Sequence, residues 1–190
     1  MMNTNDTQEE TTPHRIVLDA ATISKAIRRM AHEIVEQHPS TANLVLAGIP
    51  TRGTEIARRL ADHIEQIEGT RPYLGCVDVS MHRDDLATRS RITTLQVTDL
   101  PVDLDGRPLV LVDDVFFTGR TCRAALDAIT SFGRPSTIRL AVLVDRGHRE
   151  LPIRADYVGK NLPTTLDEKI RVRFESLDGV KDSVSIVSAL

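Results

Sequence analysis

The sequence predicts an α/β fold in which a mainly parallel sheet is flanked by helices, and two observations support this prediction. Mainly apolar runs at 44–49, 109–112 and 138–145 have the length and β-branched composition of strands buried on both faces. Helical apolar spacing occurs between these runs, and such alternation produces parallel sheets covered by helices. With 190 residues, 41% of them hydrophobic, the chain suits one core, so we expect a single domain over 15–190.

Caps and periodicity predict the remaining elements. Asp19 is a suitable N-cap for a helix that ends near Gln37, and Gly69 closes a second helix after the first strand. The segment 120–132 is a third helix, ended by Gly133. Short alternating runs near the carboxyl terminus predict antiparallel or edge strands. Further expectations are a disordered lead-in at 1–14, a strand at 73–80, an exposed mobile loop at 81–91 and a strand at 92–98.

The composition restricts the class of partner and the compartment. A net charge of −3 argues against broad electrostatic attraction to nucleic acid, although it allows a local basic patch. Cys76 and Cys122 are far apart and lack metal-ligand spacing, which favours free thiols in a reducing cytoplasm. The sequence shows neither a signal peptide nor an apolar run of bilayer length, so we expect a cytoplasmic protein without a membrane partner.

Two adjacent carboxylates, Asp113 and Asp114, stand where a buried strand meets a turn. Thr118, Gly119 and Thr121 then surround the start of a helix, where unpaired backbone N–H groups and the helix dipole favour a phosphate. Carboxylates would repel a bare phosphate, but they accept hydrogen bonds from the vicinal hydroxyls of an attached ribose. The combination therefore predicts a site for a ribose 5-phosphate. A capped turn with solvated acids is the alternative for either acid alone.

The run VLVDDVFFTGRT resembles the phosphoribosyl-pyrophosphate (PRPP) motif of type I phosphoribosyltransferases. This resemblance implies that family's fold with a small hood, PRPP as a substrate, and Mg²⁺ carried with PRPP rather than held in a dedicated protein site. It also implies that GIPTRG at 48–53 binds pyrophosphate and that HRDD begins a flexible catalytic loop. The implied site residues are Asp113, Asp114 and Arg83 for catalysis, and Thr51, Arg52, Gly53, Val115, Thr118, Gly119, Arg120 and Thr121 for substrate binding.

Phe117 and the segment 154–161 bear on the choice of base. In purine-salvage members of the family, an acid at the position of Phe117 serves as base toward the purine, and a phenyl ring cannot move a proton. The resemblance therefore disfavours purine transfer. RADYVGKN at 154–161 resembles the family's base-binding hood, in which Tyr157 would stack on the base and the backbone of Val158 would read its edge. A core aromatic with a satisfied hydroxyl is the alternative for Tyr157.

A closer resemblance covers the chain from about Ile16 to the late 170s. MAHEIVE, GIPTRG, RDDL, LVDDVFFTGRT and VDRGHRELPIRADYVGKN together resemble the pyrimidine-operon attenuation regulators that also have uracil phosphoribosyltransferase activity. This resemblance implies UMP formation from uracil and PRPP, UMP-responsive binding to pyrimidine-operon leader mRNA, and a homodimer or higher homo-oligomer. The implied RNA-facing residues are Arg28, Arg29, His32, Arg149, Arg154 and Lys160.

Three functional alternatives remain open at this point. A dedicated uracil salvage enzyme would keep the PRPP motif without needing the basic residues Arg149, Arg154 and Lys160. An RNA regulator with vestigial activity would keep both features. A purine transferase is the least favoured, because of Phe117.

Overall fold

The computed structural model describes residues 14–79, 98–100 and 102–188, and in these ranges the chain forms two β-sheets and four α-helices. The strands are β1 (His14–Asp19), β2 (Val45–Gly48), β3 (Tyr73–Cys76), β4 (Pro108–Phe116), β5 (Thr137–Asp145), β6 (Tyr157–Asn161), β7 (Glu168–Arg173) and β8 (Ser183–Ser188). The helices are α1 (Ala20–Gln37), α2 (Arg52–Glu68), α3 (Arg120–Phe132) and α4 (Glu175–Asp178).

The larger sheet confirms the predicted architecture. Its five strands run parallel in the order β3-β2-β4-β5-β6. Along β4, Val110 and Val112 pack into a core shared with α1 and α2, whereas Leu109 and Leu111 pack into a second core with α3. Since successive strand residues face opposite sides, both faces of the sheet are covered by helices.

The predicted helix ends are confirmed. Asp19 caps α1, and its Oδ1 accepts a hydrogen bond of 2.8 Å from the backbone N–H of Thr22. Gly69 follows α2 with a φ of 71°, a left-handed conformation that glycine adopts without steric cost. The third helix spans the expected residues and is followed by Gly133.

The smaller sheet, called the hood here, is antiparallel with the strand order β1-β8-β7. Val172 of β7 and Val184 of β8 are buried in the core shared with α1 and α2, so the inner face of the hood closes that core. The predicted lead-in at 1–14 overlaps this sheet, because His14 begins β1, a strand that the sequence did not predict. Residues 1–13 lie outside the described ranges.

Several predicted boundaries are wrong. The strand predicted over 73–80 ends at Cys76, and β4 continues through both acids to Phe116 instead of ending at Val112. The segment 154–161 does not belong to the hood, because its strand β6 is the edge of the parallel sheet. The loop predicted at 81–91 and most of the strand predicted at 92–98 lie outside the described residues. None of the described helices is long and apolar enough to cross a membrane.

Candidate functional site

The loop between β2 and α2 lies directly against the carboxyl end of β4. The backbone N–H of Ile49 donates a hydrogen bond of 2.8 Å to the carbonyl of Val112. A Cβ atom on Gly53 would lie only 2.4 Å from the same carbonyl oxygen and 3.2 Å from Cα of Asp113. Only glycine allows this approach. The two predicted phosphate-binding motifs, which are about sixty residues apart in sequence, therefore meet at one edge of the sheet.

The two acids are half-buried within the carboxyl-terminal part of β4. Oδ1 of Asp113 accepts a hydrogen bond of 2.8 Å from the backbone N–H of Asp114, and Oδ1 of Asp114 accepts one of 2.9 Å from Val115. Asp113 lies opposite Val142 of β5, and Val115 lies opposite Val144. These contacts hold both carboxylates where the parallel strands end, the edge at which ligands bind in open α/β sheets.

The turn after β4 forms the start of α3. Gly119 occupies the N-cap position with a φ of 92° and offers no side chain to the first-turn N–H groups. The carbonyl of Thr118 accepts hydrogen bonds of 3.0 Å from Glu150 and 3.3 Å from Leu151, which fixes the turn against the loop after β5. The first-turn N–H groups and the Thr118 and Thr121 hydroxyls therefore surround a place suited to an anion. The exposed side chain of Arg120 instead pairs with Glu150 at 2.7 Å.

An aromatic and cationic wall adjoins this turn. The guanidinium of Arg146 lies 4.1 Å from the centroid of the Phe117 ring, and the ring of His148 meets Phe117 edge-on at 5.9 Å. Arg146 is only 6% exposed and donates to Thr164 Oγ1 at 2.9 Å, and burial lowers its pKa from the usual value. Neither Arg146 nor His148 was expected at the site from the sequence. A signal in the sequence could have identified them. Arg146 and His148 follow a buried strand, β5, just as Asp113 follows the apolar run of β4.

Arg52 connects the β2–α2 loop to the hood. Its Nε donates a hydrogen bond of 2.6 Å to the carbonyl of Val172, and its Nη2 pairs with Oδ1 of Asp178 at 2.7 Å. Arg146 makes a similar contact, since its Nη2 donates to the carbonyl of Glu168 at 2.7 Å. One arginine from each side of the site thus holds the free edge of β7.

Ion pairs attach α2 to the hood just beside this site. Glu55 is 7% exposed and accepts hydrogen bonds from Arg58 and Arg59, which hold the pKa of its carboxyl at about 2, below the usual 4.5. Arg59 also pairs with Asp182 and lies 4.6 Å from the centroid of the Phe174 ring. Glu55 is therefore the buried acceptor on which these contacts converge.

Replacing Glu55 by Gln should lower the free energy of unfolding at pH 7 by about 2 kcal/mol, because the variant has no buried charged acceptor for two arginines. The pKa of Glu55 is lowered in the folded state, so its stabilisation is complete above pH 4.5 and is lost as the pH falls toward 2. The difference between the variant and the wild type should shrink over that interval in urea denaturation. Glu65→Gln, which removes an exposed ion pair to Arg71, should change stability by less than about 0.5 kcal/mol. Equal losses in both variants would contradict the role of Glu55.

The ring of Tyr157 is buried and is not available to stack on a base. Tyr157 is 1% exposed, its hydroxyl donates to Gln37 Oε1 at 3.1 Å and lies 3.4 Å from His38 Nε2, and burial raises its pKa to about 12. The alternative of a core aromatic with a satisfied hydroxyl is therefore the one that the structure supports. The carbonyl of Val158 accepts a hydrogen bond of 2.8 Å from Arg29.

The residues predicted to face RNA fall into two classes. Arg29 bonds the carbonyls of Val158 and Gly159 and pairs with Glu33, so it fastens α1 to the edge strand β6. Arg149 pairs with the buried carboxylate of Asp145. Four others are exposed and make no ion pair or side-chain hydrogen bond within the described residues. These are Arg28 and His32 on α1, Arg154 before β6 and Lys160 within β6.

Neither cysteine contributes a reactive group to the site. Cys122 is buried on α3, and burial raises the pKa of its thiol to about 12, so it is not a nucleophile at neutral pH. Cys76 is half-buried at the end of β3, where it forms an antiparallel bridge with Asp99. Arg83 lies outside the described residues.

Comparisons with known proteins agree with this geometry. Residues 15–177 match the phosphoribosyl transferase domain family. Similar solved structures include a hypoxanthine phosphoribosyl transferase from Trypanosoma cruzi (TM-score 0.72, 17% identity, covering 93% of this chain and 92% of that one). Another is a hypoxanthine-guanine phosphoribosyltransferase from Bacillus anthracis (TM-score 0.70, 16% identity, covering 91% and 97%). At such identities these structures show the fold alone.

Curated relatives are much closer in sequence. The Bifunctional protein PyrR of Roseiflexus sp. is 53% identical over 171 residues, which cover 90% of this chain and 93% of that protein. The protein of the same name from Leifsonia xyli is 54% identical over 177 residues, which cover 90% and 96%. Identity at this level over nearly the whole of both chains shows common family membership. The chain belongs to the phosphoribosyl transferase domain family and, within it, to the PyrR family of bifunctional proteins.

Proposed function

We propose that this protein transfers the phosphoribosyl group of PRPP to uracil, giving UMP and pyrophosphate, and that it also regulates pyrimidine-operon expression by binding leader mRNA. The observation that carries the enzymatic part is the meeting of two loops at one sheet edge. Gly53 of the first loop touches the β4 backbone at Val112, immediately before the acid pair. This close approach supports adjacent sites for pyrophosphate, ribose and 5-phosphate.

Each part of PRPP has a matching set of groups. Asp113 and Asp114 accept hydrogen bonds from the ribose hydroxyls, and the segment 118–121 binds the 5-phosphate through backbone N–H groups and hydroxyls. Thr51, Arg52 and Gly53 receive the pyrophosphate, with Arg52 exchanging Asp178 for the ligand. Uracil N1 bonds to the anomeric carbon as the bond from that carbon to pyrophosphate breaks. The N1 proton passes to water.

Mg²⁺ fits this arrangement as an ion that arrives with PRPP. Asp113 and Asp114 provide two carboxylates beside the predicted ribose and pyrophosphate positions, and oxygen ligands of this kind suit Mg²⁺. The described residues contain no group of three or more His, Cys, Asp or Glu side chains that could hold a metal. The protein would therefore share the ion with substrate oxygens and water, and the ion would neutralise charge on the leaving pyrophosphate.

The wall beside the turn is the proposed surface for the base. Phe117 is held by Arg146 and His148, and it offers an apolar face and no ionisable group to a ring bound beside it. A purine would lack the acid that general base catalysis requires at this place, which is typically worth 10²–10⁴-fold in rate. The pyrimidine is the base that this surface favours.

The test of the enzymatic proposal is an assay of the purified protein with PRPP, Mg²⁺ and either uracil, hypoxanthine or guanine. We expect UMP formation from uracil, and kcat/KM values for both purines at least about a hundredfold lower. Phe117→Leu, which keeps an apolar side chain, should retain the preference for uracil. Comparable turnover of either purine would contradict the role assigned to Phe117.

The regulatory part of the proposal draws on the names of the relatives and on the exposed cations. A dedicated salvage enzyme has no evident use for Arg28, His32, Arg154 and Lys160, none of which is paired within the described residues. Because Arg29 bonds the carbonyl of Gly159, the cations of α1 lie near the edge strand that carries Lys160. Binding of a structured leader by a homodimer in the cytoplasm, with UMP as the signal, is the regulatory mode that we propose.

A further inference from the structure

The outer face of the hood carries a row of cationic side chains along β7. Lys169, Arg171 and Arg173 alternate with Ile170 and Val172, and the latter two pack against the core. Alternate residues of a strand lie on one face at a spacing of about 6.7 Å. The cations of this strand therefore form an evenly spaced row on the face that is turned away from the core. They are Lys169, Arg171 and Arg173 and are called the β7 cations here.

No carboxylate forms an ion pair with the β7 cations within the described part of the chain, although Asp19 of β1 lies opposite Ser183 in the same row as Arg173. Across the sheet, Arg173 lies opposite Ser183 and Arg171 lies opposite Ser185. An acidic residue at either position would be a favourable cross-strand partner, so the serines leave the cations without one. None of the three makes an ion pair or a side-chain hydrogen bond to another described residue, in contrast to the paired guanidinium groups of α2.

The neighbouring strand adds an apolar contact to this basic face. Ile16 of β1 lies opposite Ser185, so its side chain stands on the same face as Arg171, and it is 59% exposed. A hollow of about 450 Å³ lies at one end of the face, and its lining includes Ile16, Arg173 and Lys181 together with the carboxylates of Asp19 and Asp182. Regularly spaced cations beside an exposed apolar side chain suit a strand that bears both phosphates and flat bases.

We propose that the outer face of the hood binds a single-stranded segment of RNA, with the β7 cations on successive phosphates and Ile16 against a base. The inference rests on the proposed RNA-binding function and adds a second contact surface to it, separate from the cations of α1 and β6. Charge complementarity identifies the occupant. The β7 cations repeat at a spacing comparable to that between the phosphates of an extended nucleic-acid strand. Unpaired like charges along one β-strand repel each other, and a bound polyanion would neutralise them.

The test compares a triple variant, Lys169→Gln with Arg171→Gln and Arg173→Gln, with the wild type in filter titrations of the protein's own pyrimidine-operon leader RNA across a salt series. We expect weaker binding, and a slope of log K against log salt that is shallower by about 0.7 for each phosphate that the variant no longer neutralises. A control variant, Arg71→Gln with Arg123→Gln and Arg134→Gln, removes the same charge elsewhere and should leave the slope unchanged. Uracil turnover should be unchanged in both variants, which shows that they fold.

Three outcomes would overturn the inference. An unchanged affinity and salt slope in the triple variant would show that RNA does not contact the hood. A changed molar mass in light scattering with unaltered RNA binding would assign the face to contact between copies of the chain. If the wild type itself binds no leader RNA, the proposed regulatory function fails as well, and this result is distinct from the other two.

Discussion

Replacing Asp113 and Asp114 together by Asn should nearly abolish UMP formation while the protein remains folded. Each substitution preserves the shape of the side chain and removes a charged acceptor for a ribose hydroxyl, a hydrogen bond worth about 1.5–3 kcal/mol. The combined loss corresponds to a fall in kcat/KM of about 10²–10⁴-fold. Since both acids are half-buried at the end of β4, the expected effect does not depend on a surface contact that solvent could replace.

The measurement is a steady-state assay with uracil and PRPP, together with circular dichroism and the thermal midpoint of unfolding. A matched control, Asp62→Asn with Asp127→Asn, changes two exposed acids on α2 and α3 and should leave kcat/KM within about twofold of the wild type. Wild-type turnover in the Asp113 and Asp114 variant would remove these residues from the site.

Replacing Gly53 by Ala should lower kcat/KM by about a hundredfold, the effect typical of displacing reacting groups by about 1 Å. The new Cβ atom would lie 2.4 Å from the carbonyl oxygen of Val112, so the β2–α2 loop and β4 must move apart. That movement separates the proposed pyrophosphate loop from the acids, and it also lowers stability.

Gly69→Ala separates the loss of alignment from the loss of stability. Gly69 has a φ of 71° and open space around its Cβ position, so this change strains the backbone by about 1–2 kcal/mol away from the site. It should lower the midpoint of thermal unfolding and leave kcat/KM unchanged at 25 °C. Wild-type kcat/KM for Gly53→Ala would contradict the close contact between the two loops.

The sequence predicted the parallel sheet and the PRPP loop because their signals are local. Each of these signals, which are the apolar runs, Gly69 and the order of acids, threonines and glycine from the end of β4 into α3, lies within a few residues of sequence. The sequence did not predict strand β1, because the stability of this strand depends on its pairing with β8. In that pairing His14 lies opposite Val187. A short, mostly exposed strand carries no strong pattern of its own.

Side-chain roles that depend on distant partners were the least predictable. Tyr157 has the composition expected of a base-stacking residue, but its hydroxyl meets Gln37, which lies 120 residues earlier in the chain. The exposed position of Arg29 on α1 suggested RNA contact, whereas its guanidinium bonds two carbonyls of β6. Arg146 was not expected at all, because its burial against Phe117 depends on the packing of the hood.

The strand β7 contacts both parts of the proposed function. Its free edge accepts hydrogen bonds from Arg52 of the proposed pyrophosphate loop and from Arg146 of the proposed base wall, and its outer face carries the β7 cations. A ligand that displaces Arg52 from Val172 would alter the element on which RNA is proposed to lie. By thermodynamic linkage, if UMP tightens RNA binding, RNA must tighten UMP binding by the same factor.

The central claim is that one protein combines a UMP-forming site with an RNA-binding surface. The most direct test is a titration of leader RNA with and without UMP, together with a uracil assay on the same preparations. The wild type should bind the RNA, more tightly with UMP. A variant with Arg28→Gln, His32→Gln, Arg154→Gln and Lys160→Gln should lose RNA binding and keep uracil turnover, because these side chains lie outside the proposed PRPP site. If the wild type forms UMP but binds no leader RNA at any salt or UMP concentration, the protein is a salvage enzyme alone, and the central claim is contradicted.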